Sequence, residues 1–126
     1  MKKVILALVT CATLSLASEA TVDATMKLMK HGMDQIQLGF MYNSKDDIKQ
    51  GIETVESSNA IFKRVNVADF MKNNKVTVAN NINKNMSKDL KALKKAVDSG
   101  KYTEATKQYG ELLSQCIACH TIIRGW

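Results

Sequence analysis

An all-α fold is predicted by three features of the sequence. The chain contains no proline, the residue that most often breaks or kinks a helix. Apolar residues recur at intervals of three and four, the spacing that places them on one face of a helix. No segment shows the apolar–polar alternation that is typical of a half-buried strand. These features predict helices almost throughout the 126 residues.

Four segments carry an apolar stripe at helical spacing. They run from Val22 to Phe40, from Ile48 to Phe62, from Ala79 to Val97 and from Tyr102 to Ile123. Four amphipathic segments of this length, joined mostly by short connections, are typical of an antiparallel four-helix bundle. The fold class predicted here is therefore all-α, an antiparallel four-helix bundle.

Local signals mark the ends of these segments. Ser44, followed three residues later by Asp47, forms a variant of the capping box that begins a helix. Gly100 can take the left-handed conformation that ends one. Asn59 interrupts the second stripe, where a single polar residue can fix the register of a bundle. Residues 66–75 are the least regular part and suggest a loop or a short helix.

The amino terminus has the pattern of a secretory signal peptide. Lys2-Lys3 precede an apolar run from Val4 to Leu16, and small residues suited to cleavage after Ala17 follow. The run is too short for a transmembrane helix, and no later segment is longer and as apolar. We expect residues 1–17 to be removed and residues 18–126 to form one domain exported to the periplasm.

A second interpretation of the leader is a lipoprotein signal. The stretch Leu8-Val9-Thr10-Cys11 loosely resembles the box in which Cys11 would receive a lipid. Thr10 is poorly suited to the position before such a cysteine. The ordinary leader is therefore favoured.

The run Cys116-Ile117-Ala118-Cys119-His120 carries the chemistry of the chain. A C-x-x-C-H run is typical of covalent haem attachment, with two cysteines forming thioethers and the histidine binding iron. On a helix, Cys116, Cys119 and His120 share one face. A thioredoxin-type site would need a nearby βαβ pattern, and a zinc site would need four ligands, with only the remote His31 as a further candidate.

In these features the chain resembles class II cytochromes c, the cytochrome c′ superfamily, whose members are haem-binding four-helix bundles. The resemblance lies in the carboxyl-terminal position of the C-x-x-C-H run, in Arg124 four residues after His120, and in an exported all-helical chain. It implies one covalent haem c on Cys116 and Cys119, with His120 as the proximal iron ligand. Arg124 becomes a candidate contact for the haem propionates.

The resemblance also suggests the distal ligand. The phrase from Val22 to Met29, Val-Asp-x-Thr-x-Lys-Leu-Met, resembles the start of the low-spin branch, in which a methionine binds iron. Met29 would then be the distal ligand. If the first helix is aligned with the family pattern three residues differently, Met26 becomes the distal ligand instead. Met33 lies on the same stripe. A methionine stripe at this spacing is also an ordinary core feature. The Tyr-Arg pair of many family members is absent.

The iron could be six-coordinate, with a methionine ligand, or five-coordinate, without one, and each state implies a different function. Met/His ligation implies an electron carrier rather than an enzyme, because it raises the reduction potential and leaves no open iron position. The alternative is a five-coordinate, high-spin cytochrome c′ that binds NO or CO. A peroxidase is less favoured, because the only other histidine, His31, lies off the stripe and is expected at the surface.

Charge and composition bear on partners. The formal net charge is +6, and lysines crowd the later half of the chain. A charge run of this kind is ordinarily a solvated helix face. It can also steer the protein toward a redox partner with an acidic docking surface. Few aromatics and an exported chain argue against nucleic acid, and both a monomer and a homodimer remain open. The lysines concerned are Lys84, Lys88, Lys91, Lys94, Lys95, Lys101 and Lys107.

Overall fold

The computed structural model describes residues 13–66, 68 and 75–124, with side chains described between residues 20 and 122 of these ranges. It contains four helices, which confirms the prediction of an all-α bundle, and the described residues include no strand. Residues 1–12 and most of the stretch from 66 to 75 lie outside the described part. Cleavage after Ala17 and a loop or short helix at 66–75 stay predictions. The helices are α1 Thr13–Tyr42, α2 Lys45–Phe62, α3 Lys75–Asp98 and α4 Tyr102–Arg124.

Neighbouring helices run antiparallel and pack as two close pairs. α1 packs most closely on α2, and α3 packs most closely on α4, while α2 joins the pairs through a smaller contact with α3. The backbones of α1 and α4 stay farther apart. None of the described helices is long and apolar enough to cross a membrane. The wider separation of α1 and α4 leaves room for the site described below.

The α1–α2 pair is held close by two glycines. A Cβ atom added to Gly51 would lie 2.7 Å from the carbonyl oxygen of Gly32 and 2.8 Å from the backbone nitrogen of Ile36. These are backbone atoms, which cannot rotate away as a flexible side chain can. The lack of a side chain at Gly51 therefore lets the two helix backbones touch.

The turn between α1 and α2 uses the predicted cap in part. The Ser44 hydroxyl accepts a hydrogen bond from the Asp47 backbone nitrogen at 3.3 Å, which confirms the serine half of the capping box. The reciprocal bond of a capping box would run from the Ser44 backbone N–H to the Asp47 side chain. Here the Ser44 N–H donates instead to the carbonyl oxygen of Gly39 at 2.9 Å. Asn43 takes a positive φ of 56° to close this helix end. Gly100 ends α3 with a φ of 68°, as predicted.

The core is built from the predicted stripes. One residue of the stripes was wrongly placed, since Tyr102 is 45% exposed at the first position of α4. Asn59 is buried as predicted, and its amide nitrogen donates to Ser87 Oγ at 3.0 Å and weakly to the carbonyl oxygen of Asn83 on α3. The fully buried large side chains of the core are Ile36, Ile48, Ile52, Val55, Leu90, Leu93, Val97 and Leu112.

Candidate functional site

A cavity of about 400 Å³ lies between α1, α3 and α4, closed at one side by the end of α2. We refer to it as the central cavity. Its volume falls within the roughly 300–1,000 Å³ typical of ligand and cofactor pockets. Its walls are predominantly apolar and include Phe62 from α2 and Ala79, Ile82 and Met86 from α3. The cavity occupies the space that the separation of α1 and α4 leaves open.

The C-x-x-C-H run forms the α4 wall of the central cavity. Cys116, Cys119 and His120 all line it, and all three are half-buried. They share a face because residues three and four apart on a helix lie above one another. Both cysteines are free thiols in this structure. The predicted placement of the run against the core is therefore confirmed.

The surroundings of the two cysteines keep them in the thiol form. Burial raises the pKa of Cys116, and the nearby Cys119 raises it further. Burial also raises the pKa of Cys119. A higher pKa means less thiolate at neutral pH, and the thiolate is the nucleophile and the metal ligand. Without a cofactor, these cysteines are poorly activated for reactions with small reagents.

The α1 wall carries three thioethers. Met29 and Met33 are buried, Met26 is half-buried, and all three line the central cavity opposite α4. Their placement on the interior face is confirmed. It makes each of them available to the cavity, so the choice of Met29 over Met26 as a distal ligand stays a prediction. His31 is exposed, as expected for a residue off the stripe.

Tyr109 links the two separated helices at one end of the cavity. Its hydroxyl donates a long hydrogen bond of 3.4 Å to the carbonyl oxygen of Met33. Its ring packs edge to face against Phe40, with centroids 6.0 Å apart. Burial raises the pKa of Tyr109. Sequence reasoning treated this residue as core only, although a tyrosine in an apolar stripe needs a partner for its hydroxyl.

The polar groups at the cavity are few. Lys30 and Asp34 of α1 form an ion pair of 2.6 Å at its edge. Asn83 of α3 also lines the cavity, is 6% exposed, and forms no side-chain hydrogen bond within the described residues. Sequence reasoning missed Asn83, which stands beside Ile82 at the edge of the third stripe. The Arg124 side chain lies outside the described residues, so its contact with propionates stays a prediction.

These residues fit a covalently attached haem. An apolar cavity suits the macrocycle, two thiols on one helical face suit its vinyl groups, and an imidazole and thioethers face each other across the cavity. Among the described residues, no three histidine, cysteine or carboxylate side chains converge to bind a bare metal ion.

Comparison with protein-family models, with curated proteins and with solved structures gives no match for this chain. The motif and the geometry of the cavity are therefore the observations that bear on function.

Proposed function

We propose that the protein is an exported, single-haem c-type cytochrome of the class II type that carries electrons. One observation supports this most directly. The C-x-x-C-H run of α4 and the methionines of α1, which are far apart in sequence, line one apolar cavity. Such a cavity is the form of site that a haem-binding helical bundle requires.

Each residue has a defined task in this proposal. The thiols of Cys116 and Cys119 would hold the haem on α4 through thioethers to its vinyl groups. His120 would supply the proximal nitrogen, and Met29 would supply the distal sulfur, with Met26 as the alternative. The bound haem supplies the one-electron chemistry of its iron. The chain supplies ligands, orientation and exclusion of water through the apolar walls of the central cavity.

Electron transfer is the function that this ligand arrangement supports best. A protein that fills both axial positions leaves no site for a substrate and keeps its coordination nearly unchanged between oxidation states. Tyr109 joins α4 to α1 through Met33, so the two ligand-bearing helices are linked beside the cavity. This linkage supports a fixed distance between the proximal and distal ligands.

Export and partner choice belong to the same proposal. The leader at residues 1–17 would direct the chain to the periplasm, where c-type cytochromes mature. The seven lysines from Lys84 to Lys107 are all exposed on the surface. Such a surface can attract a redox partner with an acidic docking face.

The test is the mass and the absorption spectrum of protein matured in a periplasm. The expected mass is that of residues 18–126 plus one haem, and the expected ferric spectrum is low-spin with a near-infrared sulfur-to-iron band. The double variant Cys116→Ser, Cys119→Ser should lack covalent haem. Covalent haem in that variant would refute the attachment. If the wild-type spectrum is high-spin, the proposed function becomes NO or CO binding instead of electron transfer.

A further inference from the structure

A second cavity of about 320 Å³ adjoins the central cavity at the junction of α2 and α3. Phe62 and Asn83 line both cavities and so form the wall between them. The second cavity also carries two cationic side chains, Lys63 at the end of α2 and Lys84 on α3. We refer to it as the lysine cavity.

Among the described residues, the two cations of the lysine cavity have no anionic partner. Lys63 Nζ donates a hydrogen bond of 2.6 Å to the neutral hydroxyl of Ser87, which also lines this cavity. In the part of the chain that the structure describes, neither Lys63 nor Lys84 has a carboxylate within ion-pair distance. A free surface lysine is common, but Lys63 is held against the cavity by its hydrogen bond.

Asn83 provides an independent indication of a ligand. It is more than nine-tenths buried, its Oδ1 atom has no partner, and no hydrogen bond of its side chain is found among the described residues. A buried amide without a partner is costly, and such groups in native proteins are normally satisfied. Because the amide can rotate by half a turn, it can offer N–H donors to an oxyanion.

The haem of the proposed function carries two carboxylates that need such partners. Among the described side chains that line the central cavity, the only lysine or arginine is Lys30, and it is already paired with Asp34. The other basic side chain described there, His120, is assigned to the iron. Two described cations without an anionic partner, Lys63 and Lys84, lie in the neighbouring cavity that shares Asn83 with the central cavity. We infer that the lysine cavity binds a haem propionate through Lys63, Lys84 and Asn83, an inference that rests on the proposed function.

This assignment has a measurable consequence for the carboxylate. An opposite charge within a few ångströms lowers the pKa of a carboxyl group by about 1–3 units, less where solvent screens it. Among the described residues, the charged groups that line the lysine cavity are Lys63 and Lys84, and the charged or iron-ligating groups that line the central cavity include Lys30, Asp34 and His120. Protonation of a propionate adds positive charge near the iron, so the reduction potential rises as the pH falls through its pKa.

The experiment measures the reduction potential of the holoprotein against pH. In the double variant Lys63→Gln, Lys84→Gln, the inflection of this curve should move to higher pH by about one unit. The matched control is Lys91→Gln, Lys107→Gln, which removes the same charge from exposed residues that line neither cavity. The control should leave the inflection in place. Equal inflections in both double variants would overturn the inference.

Two further measurements separate the possible failures. If inorganic phosphate shifts the NMR signals of Lys63 and Lys84 in the holoprotein, the lysine cavity is open to free oxyanions and the propionate assignment is wrong. No response to phosphate, together with the moved inflection, supports the assignment. Mass spectrometry is done first: a chain without covalent haem overturns the proposed function, whereas covalent haem with an unmoved inflection overturns only this inference.

Discussion

At the scale of single residues, the proposed distal methionine would decide which function the site performs. Met29 and Met26 both line the central cavity, one turn of α1 apart, so each can present sulfur toward α4. Leucine has a similar volume to methionine and cannot bind iron, and the fold should tolerate the exchange at a cost of less than about 1.5 kcal/mol. A pair of leucine variants therefore tests the ligand without a large change in packing.

Met29→Leu should convert the iron to a high-spin form that binds CO rapidly and has a lower reduction potential. Met26→Leu, the matched control, should leave the low-spin spectrum unchanged. The measurement is the absorption spectrum of both variants in the ferric and ferrous states. If Met26→Leu is the variant that changes spin state, the function stands and the distal ligand is Met26.

Asp89 on α3 is a second residue whose environment has a testable consequence. Its Oδ2 atom is buried without a hydrogen-bond partner among the described residues, and burial is the main cause that raises the pKa of Asp89 above its usual 3.8. The nearby Glu111 on α4 raises this pKa further. The folded protein therefore disfavours the ionised carboxylate, and this penalty grows as the pH rises from 3.8 through the folded-state pKa.

Asp89→Asn should stabilise the protein at pH 7 by about 0.5 kcal/mol, a value kept small because the group is only partly buried. The gain should shrink as the pH falls through the folded-state pKa and vanish below 3.8, where Asp89 is protonated in both states. Urea unfolding at several pH values measures it. Glu53→Gln, which removes an exposed carboxylate from α2, is the control; a pH-independent gain in Asp89→Asn would contradict the account.

At the scale of elements, the α1–α2 pair depends on close backbone contact. Gly51 lies where an added methyl group would meet backbone atoms of α1, whereas a methyl group added to Gly110 on α4 would meet no described atom within 4 Å. Both glycines lie within helices, where alanine is intrinsically favoured by about 0.5–1 kcal/mol. The two sites therefore separate the effect of packing from the effect of helix propensity.

Gly51→Ala should lower the free energy of unfolding by about 1–3 kcal/mol, because α1 and α2 must move apart. Gly110→Ala should raise it by about 0.5–1 kcal/mol. Urea denaturation of both variants measures the difference. Equal effects of the two substitutions would mean that the α1–α2 contact is not tight at Gly51.

At the scale of the whole molecule, the bundle is two close helix pairs with a cavity where α1 and α4 separate. Among the described residues, the hydrogen bond from Tyr109 to Met33 and the Phe40–Tyr109 ring contact link these helices at one end of the cavity. A haem anchored on α4 and bound by α1 would supply a further link. Because a cofactor that binds only the folded state stabilises it, we expect the haem to contribute to folding.

The exposed lysines of the later helices should act on association rather than on folding. The on-rate with an acidic redox partner should fall about tenfold or more as ionic strength rises from roughly 10 mM to 200 mM, because the Debye length shortens. The variant Lys91→Gln, Lys94→Gln should flatten this dependence while changing the free energy of unfolding by less than about 0.5 kcal/mol. Stopped-flow kinetics and urea unfolding measure the two effects. If the on-rate does not depend on ionic strength, these lysines form a solvated surface and do not steer association.

The sequence alone determined the helices, most of their buried faces and the motif of the site. Helical spacing is a local property, so the stripes that run to Phe40, Phe62 and Val97 could be predicted without knowledge of the neighbours. The same holds for Cys116, Cys119 and His120, whose common face follows from their separations of three and four residues. Tyr102 was misplaced because the first residue of a helix lies at the end of the bundle, where periodicity does not imply burial.

The tertiary structure decided everything that depends on contact between helices. The central cavity, the partner of Tyr109, the unpaired amide of Asn83 and the close approach at Gly51 each involve residues from different helices. Distances of this kind depend on the relative rotation and separation of helices, which packing sets and which a one-dimensional pattern does not contain. For the same reason the sequence located the helix faces that carry the C-x-x-C-H run and the methionines, and only the packed bundle brought those faces to one cavity.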